Sequence, residues 1–254
     1  MVRPGEFLER SVVVKSGRLS LDALYHRGTF APPTLLASPH PALGGSMTAP
    51  VISELAWALT RVGHATMRFD YRGVGASQGE SRHPAGELRR IAAADLGEEI
   101  DDLLAVGQQL LSTTARGTYC AVGYSFGAAV VLGAAADPRI ERLVLVAPPT
   151  SISDFGQVRA VEKPLLIVAA QNDAMADRAA LQSLLPSHAR LEVVPHADHF
   201  FLRGLTELGK LVAAWIHGDQ PLPVGAEGPG TSEVREIELD PGDGEALELD
   251  VGDT

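Results

Sequence analysis

Short apolar runs recur along this chain between longer helix-forming stretches, and that alternation restricts the fold more than any other feature. Leu165-Leu166-Ile167-Val168-Ala169-Ala170 is apolar at every position, so it lacks the period-two pattern of a half-exposed strand and needs cover on both faces. Comparable runs fall at Thr34 to Ser38, Ala65 to Phe69, Thr118 to Val122, Arg142 to Val146, Pro164 to Ala170 and Arg190 to Val194. Helical patterns are expected near Ala49 to Arg61, Glu87 to Leu111, Phe126 to Ala136, Asp177 to Leu185 and Gly204 to His217. In the longest, Leu96, Ile100, Leu103, Leu104 and Leu111 form one apolar stripe. This order predicts an α/β fold, a mostly parallel sheet with helices on both faces. Ser11 to Ser16 and Leu19 to Tyr25, around Gly17-Arg18, read as an opening hairpin. Trp57 and Trp215 are read as helix residues packed on the sheet. The Val146 to Pro164 connection is too short for a lid domain.

One strand-to-helix junction has chemistry written into it. Gly123-Tyr124-Ser125-Phe126-Gly127 follows the apolar run Tyr119 to Val122 and precedes Ala128 to Leu132. A turn sharp enough to hold a serine hydroxyl out at the sheet end excludes bulky side chains two residues before and after it. With 26 glycines in 254 residues, the pattern alone is weak, and its placement carries the argument. Serine needs a base to take its proton, and the base needs a group to fix its tautomer. Asp173 ends the Leu165 to Ala170 strand, and His199 follows the next strand within Pro195 to Phe201. Both are thereby expected at the same sheet edge as Ser125, in the chain order of an alpha/beta-hydrolase triad. Among the other histidines, His26, His40, His64, His83, His188, His196 and His217, only His40 sits on a turn of interest. The turn Ser38 to Gly45 is expected to supply an oxyanion donor from the Ala42 or Leu43 amide, beside the Phe126 amide.

Composition narrows the functional classes. The formal charge is −11, but the segment from Pro221 onward holds ten acidic residues and one arginine, so the body is nearly neutral. Net charge therefore says little about the substrate; no nucleic-acid partner is expected. The single cysteine, Cys120, lies in an apolar run and reads as core. No apolar signal region opens the chain and no stretch approaches the roughly 18 apolar residues of a membrane helix, so the expected setting is cytoplasmic, without a membrane partner. Gly73-Val74-Gly75 misses the dinucleotide fingerprint and no Gly-Lys-Ser/Thr occurs. Asp70 and Arg72 are expected to tie that loop to the serine turn, with Asp70 held as a buried ion-pair or hydrogen-bond partner. His196-x-Asp198-His199 resembles part of a metallo-hydrolase motif but lacks its first histidine, which is Val194. No cofactor or metal is expected.

Five segments in order carry a family resemblance: His40 to Gly45, Arg68 to Ser77, Gly123 to Gly127, Val146 to Pro149 and Ala197 to Phe201. Together, over about residues 10 to 217, they resemble the small lidless bacterial serine hydrolases of the alpha/beta-hydrolase superfamily, relatives of dienelactone hydrolases and acyl esterases. The resemblance implies an alpha/beta-hydrolase domain over residues 1–218; after Gly218 the composition turns to Pro, Gly and acid, which reads as an extension, 219–254, either disordered or a small hairpin. The resemblance implies a serine hydrolase but no substrate; the reading of the residues is hydrolysis of a carboxylic ester, thioester or related bond of a small acyl substrate through an acyl-enzyme. Ser125, His199 and Asp173 would form the triad. Ala170 stands where the family has glycine before its aspartate; were Asp173 misplaced by that change, Asp154 after the preceding strand would be the substitute acid, as in some members of the superfamily. His196 likewise stands where the family often has glycine. The Ser151 to Phe155 and Phe200-Phe201 loops are expected to shape the acyl pocket. The alternative is a non-catalytic binding or scaffolding protein docking through its acidic tail. Oligomeric state is left open.

Overall fold

The computed structural model describes residues 8–82 and 93–220. The expected tail hairpin, His83 and the start of the Glu87 to Leu111 helix fall on residues outside these ranges. Eight strands form one sheet in the order β1-β2-β4-β3-β5-β6-β7-β8. β1 (Arg10–Ser16) and β2 (Leu19–His26) form the expected antiparallel hairpin. β2 also lies antiparallel to β4 (His64–Phe69). From β3 (Phe30–Ala37) through β4, β5 (Tyr119–Tyr124), β6 (Ile140–Val146), β7 (Leu165–Ala170) and β8 (Arg190–Val194), neighbours run parallel.

Strand residues supply two cores because successive side chains point to opposite faces. Tyr119 and Ala121 of β5 join one apolar cluster, and Cys120 and Val122 join the other. The second cluster is covered by α1 (Pro50–Arg61) and α5 (Leu205–His217), which present Ile52, Leu55 and Leu59, and Leu208, Val212 and Ile216. The first is covered by α2 (Gly97–Thr114) and α3 (Phe126–Gly133). Pro50 suits the start of α1, where its missing N–H costs nothing. The short α4 (Arg178–Leu184) is capped by Asp177, whose side chain accepts the Ala180 amide at 2.9 Å. Between β6 and β7 the only regular element is a 3-10 turn, Gly156–Ala160, so no lid domain is inserted there.

The order of strands places the site. From β3 the chain crosses by α1 to β4 on one side, then returns by α2 to β5 on the other side of β3. The carboxyl ends of β3 and β5 therefore border a switch point, where open α/β sheets leave a crevice.

Two expectations change. Trp57 is 39% exposed, with the Arg61 guanidinium 4.9 Å from its ring centroid, so it faces out from α1 instead of packing on the sheet. Asp70 and Arg72 do not reach the serine turn. Asp70 Oδ1 accepts the Met47 amide at 2.6 Å and its carbonyl accepts the Ser77 hydroxyl at 2.7 Å. Arg72 is held by the buried Asp102, with Nη2 2.7 Å from Oδ1 and Nε 3.0 Å from Oδ2, and Ser16 Oγ also donates to that carboxylate. Tyr71, between them, makes the link to the serine turn by packing edge-on against Phe126 at 5.6 Å.

A buried histidine sets an acid limit on stability. His64 Nδ1 donates to the Pro32 carbonyl at 2.8 Å, its Nε2 lies 3.2 Å from His217 Nδ1, and His217 Nε2 donates to the Gln220 carbonyl at 2.8 Å. Burial, aided by the nearby His217 and Arg142, lowers its pKa to about 4 from 6.5. Because the folded value is depressed, the unfolded chain takes up the proton first as pH falls. Stability is complete above 6.5 and is lost downward through about 4. This site alone is expected to cost on the order of 2 kcal/mol between pH 7 and pH 5. Urea unfolding at both pH values should show that loss, and His64→Gln should have a shallower pH dependence; equal slopes would refute the assignment.

Candidate active site

The serine turn follows from backbone sterics. Ser125 has φ 54° and ψ −115°, a conformation that a non-glycine residue keeps only where its surroundings enforce it. A Cβ on Gly123 would come closer than 3.0 Å to the Gly127 carbonyl, and one on Gly127 equally close to the Ala37 carbonyl of β3. The turn is thus wedged between its own helix and the neighbouring strand. The Ser125 amide is tied to the Val146 carbonyl of β6 at 2.8 Å.

Three residues from distant segments meet at this turn. Ser125 Oγ lies 2.8 Å from His199 Nε2, and His199 Nδ1 lies 2.9 Å from Asp173 Oδ2 and 3.0 Å from Oδ1. All three side chains are buried. An ionised carboxylate only accepts, so Nδ1 carries the ring N–H and Nε2 of the neutral imidazole accepts from the serine hydroxyl. This arrangement can draw a proton from Ser125 as its oxygen attacks and hold the resulting imidazolium beside a carboxylate. Asp154 does not take the acid's place; its Oδ1 accepts the Gly156 amide at 2.8 Å.

Backbone bonds bring the acid and the histidine together. Asn172 N–H donates to the Ala197 carbonyl at 2.8 Å and Gln171 N–H to that of Val194 at 3.1 Å, joining the turn after β7 to the loop after β8. Met175 N–H donates to Asp173 Oδ1 at 2.7 Å and fixes the carboxylate. The glycine missing before Asp173 therefore leaves the acid in reach. His196 has φ 57°, a left-handed position that explains the fit of glycine there; its amide donates to Gln171 Oε1 at 2.7 Å. Asp198 Oδ1 accepts the Phe200 and Leu202 amides, each at 3.1 Å, and shapes the loop beyond His199.

Sequence reasoning missed several of these contacts. Tyr124 donates its hydroxyl to the His199 carbonyl at 2.9 Å, so the residue before the serine also holds the histidine loop. No side-chain signal marks the Met175 donor, which is a backbone amide. Asp198 could have been read as a turn former, since aspartate bonds to amides a few residues on.

The turn after β3 differs from its expected role. Ala42 N–H donates to His40 Nδ1 and Leu43 N–H to the His40 carbonyl, both at 3.0 Å. Neither amide is a spare oxyanion donor as the turn stands, because the Leu43 amide closes the short 3-10 turn and the Ala42 amide is capped by the His40 ring. The buried His40 shapes this turn through its ring, which also packs edge-on against Phe126 at 4.9 Å. The Phe126 amide opens α3 immediately after Ser125, at the positive end of the helix.

A cavity of about 590 Å³ reaches Ser125 and His199. Its walls come from the β3 turn, the start of α1 and the loop after His199, including Leu43, Val51, Phe200, Phe201, Leu202 and Leu205. Phe200 and Phe201 line it as expected. Ser151 to Phe155 do not: Ser153 and Phe155 are buried, and Phe155 belongs to the core on the opposite sheet face. Among the described residues, no group of three or more His, Cys, Asp or Glu could hold a metal ion, and no helix is long and apolar enough to cross a membrane.

Known proteins resemble this chain over most of the described region. A family model described as serine aminopeptidase, S33, matches residues 43–158, which include Ser125 but neither Asp173 nor His199. An uncharacterized protein of Rickettsia prowazekii is 27% identical over 198 residues, covering 73% of this chain and 79% of the relative. An alpha-beta serine hydrolase homologue from Coxiella burnetii superposes with TM-score 0.70 at 26% identity, over 82% of this chain and 97% of that one. A serine hydrolase without lid from Xanthomonas campestris gives TM-score 0.68 at 27% identity, over 86% of this chain and 99% of that one.

Proposed function

For a chain that belongs to the alpha/beta-hydrolase superfamily and has its lidless fold, we propose an acyl-enzyme esterase mechanism run by Ser125, His199 and Asp173. The observation that carries it is the continuous hydrogen-bonded line from Ser125 Oγ through His199 to Asp173. Ser125 attacks the acyl carbonyl while His199 Nε2 takes its proton. His199 returns that proton to the leaving oxygen or sulfur, and a water activated by the same nitrogen then releases the acid. Asp173 keeps the imidazole in the working tautomer and stabilises its charged form.

The developing oxyanion needs donors aimed at it before reaction. The Phe126 amide is the first, on its position beside Ser125. For Ala42 or Leu43 to be the second, the β3 turn must exchange one of its internal bonds for the oxyanion when substrate is bound, a tightening of the kind apo sites often await. No group in this scheme calls for a metal or a cofactor.

A small fluorophosphonate tests the reading directly. The folded protein is expected to be labelled once, at Ser125, with matching loss of p-nitrophenyl acetate hydrolysis. Absence of labelling in folded protein would refute the nucleophile. The scaffolding alternative rests on the acidic tail, which lies outside the described residues, and no observation favours it.

A further inference from the structure

The cavity at Ser125 carries a statement about the substrate that the triad does not. Among the described residues its walls contain no Lys, Arg, Asp or Glu; the titratable lining residues among them are His40, Tyr124 and His199. Three of the large apolar side chains most exposed to solvent stand on its rim: Leu43 at 50%, Phe200 at 55% and Leu202 at 82%. Exposed apolar side chains scattered singly need no account, but a set converging on one concavity marks a binding surface. Phe200 stands edge-on to the His199 ring at 5.4 Å, so the apolar rim begins beside the group that serves the reacting bond.

The geometry points to a neutral ester or thioester bearing an extended hydrophobic chain, which lies along Leu43, Phe200 and Leu202 when its carbonyl reaches Ser125. This rests on the reading of Ser125 as the nucleophile. A charged chain is disfavoured because the cavity would strip its water without returning an ion pair. Among the described residues the free amine of a peptide would meet no carboxylate there, so the aminopeptidase activity in the description of the matching family does not suit this lining. A cavity of about 590 Å³ is within the usual range for ligand sites and is larger than an acetyl group needs. Open on its rim, it gains from each added methylene only part of the roughly fourfold that full burial supplies.

The chain can belong to either half of the substrate, since the walls come both from the turn after β3 (Leu43) and from the loop after His199 (Phe200, Leu202). Two series separate these: p-nitrophenyl esters from acetate to dodecanoate, and acetates of alcohols from ethanol to decanol. In at least one, kcat/KM is expected to rise by about tenfold or more from the shortest chain to eight carbons. A p-nitrophenyl hemisuccinate and an amino-acyl nitroanilide should both fall below the octanoate. Phe200→Ser and Leu202→Ser are each expected to cut the long-to-short ratio several-fold, while Trp57→Ser, an exposed apolar residue away from the cavity, leaves it unchanged. Labelling of Ser125 by the small fluorophosphonate is measured on every variant. If labelling occurs but both series are flat, if a charged or amino-acyl compound is preferred, or if the rim variants keep the wild-type ratio, the hydrophobic-chain assignment is overturned while the nucleophile stands. If no labelling occurs, both fall.

Discussion

Replacing Ser125 by alanine is expected to lower kcat for an activated ester by about four orders of magnitude or more, with a melting temperature close to that of the wild type. The magnitude follows from comparable triads, where loss of the nucleophile leaves only substrate binding and oxyanion stabilisation. His199→Ala should cost about as much, and the double variant little more, because the two side chains act as one unit across 2.8 Å. Asp173→Asn should reduce kcat by about 10⁴ through the wrong tautomer of His199. Asp154→Asn is the control, since that carboxylate serves the Gly156 amide. Stopped assays with p-nitrophenyl acetate on the five purified variants decide the matter. Full activity in Ser125→Ala, or a larger loss from Asp154→Asn than from Asp173→Asn, would overturn the assignment.

Gly123→Ala is expected to be the most damaging single methyl group that can be added near the site. The new Cβ would meet Gly127 backbone atoms closer than 3.0 Å, and a backbone obstacle cannot swing aside as a side chain can. Overpacking commonly costs about 1 to 3 kcal/mol, and here it falls on a turn already strained at Ser125, so a loss of about 3 kcal/mol or more is expected. Against a total stability of roughly 5 to 15 kcal/mol, that leaves a fraction of the molecules unfolded or the turn displaced. Urea denaturation measures the first and fluorophosphonate labelling the second. Gly117→Ala, where a Cβ has nothing within 4 Å, should change neither. A Gly123→Ala protein with wild-type midpoint and labelling would show that the turn is not held as described.

Much of this arrangement could be read from the chain because it is written in local patterns. β7 appears as an unbroken apolar run since its residues are buried on both faces. Its end fixes the place of Asp173 to within a turn, and the end of β8 does the same for His199. The positions of Gly123 and Gly127 identify the junction because their constraint lies within five consecutive residues.

Contacts between remote segments were not legible in this way. Asp70 and Arg72 have neighbours chosen by the register of β2 against β4 and by the approach of α2, which brings Asp102 to Arg72. Trp57 is an apolar residue on an amphipathic helix, yet the rotation of α1 turns it toward solvent. The Ser38 to Gly45 turn reads as a source of amide donors, but whether an amide is spare depends on which acceptor the folded turn offers it, and His40 supplies two.

By itself, the sequence determined a parallel sheet between helices, a strained serine turn, and an acid and a histidine at the ends of later strands. Each follows from hydrophobic periodicity or the steric demands of a few adjacent residues. Only the tertiary structure decided that Tyr124 and the Met175 amide position the histidine and the acid, that the Ala42 and Leu43 amides are occupied, and that the described residues around the cavity at Ser125 are mostly apolar and include no Lys, Arg, Asp or Glu. The physical reason is range: periodicity and backbone sterics act over a few residues, whereas hydrogen-bond partners and cavity walls are fixed by packing among segments far apart in the chain.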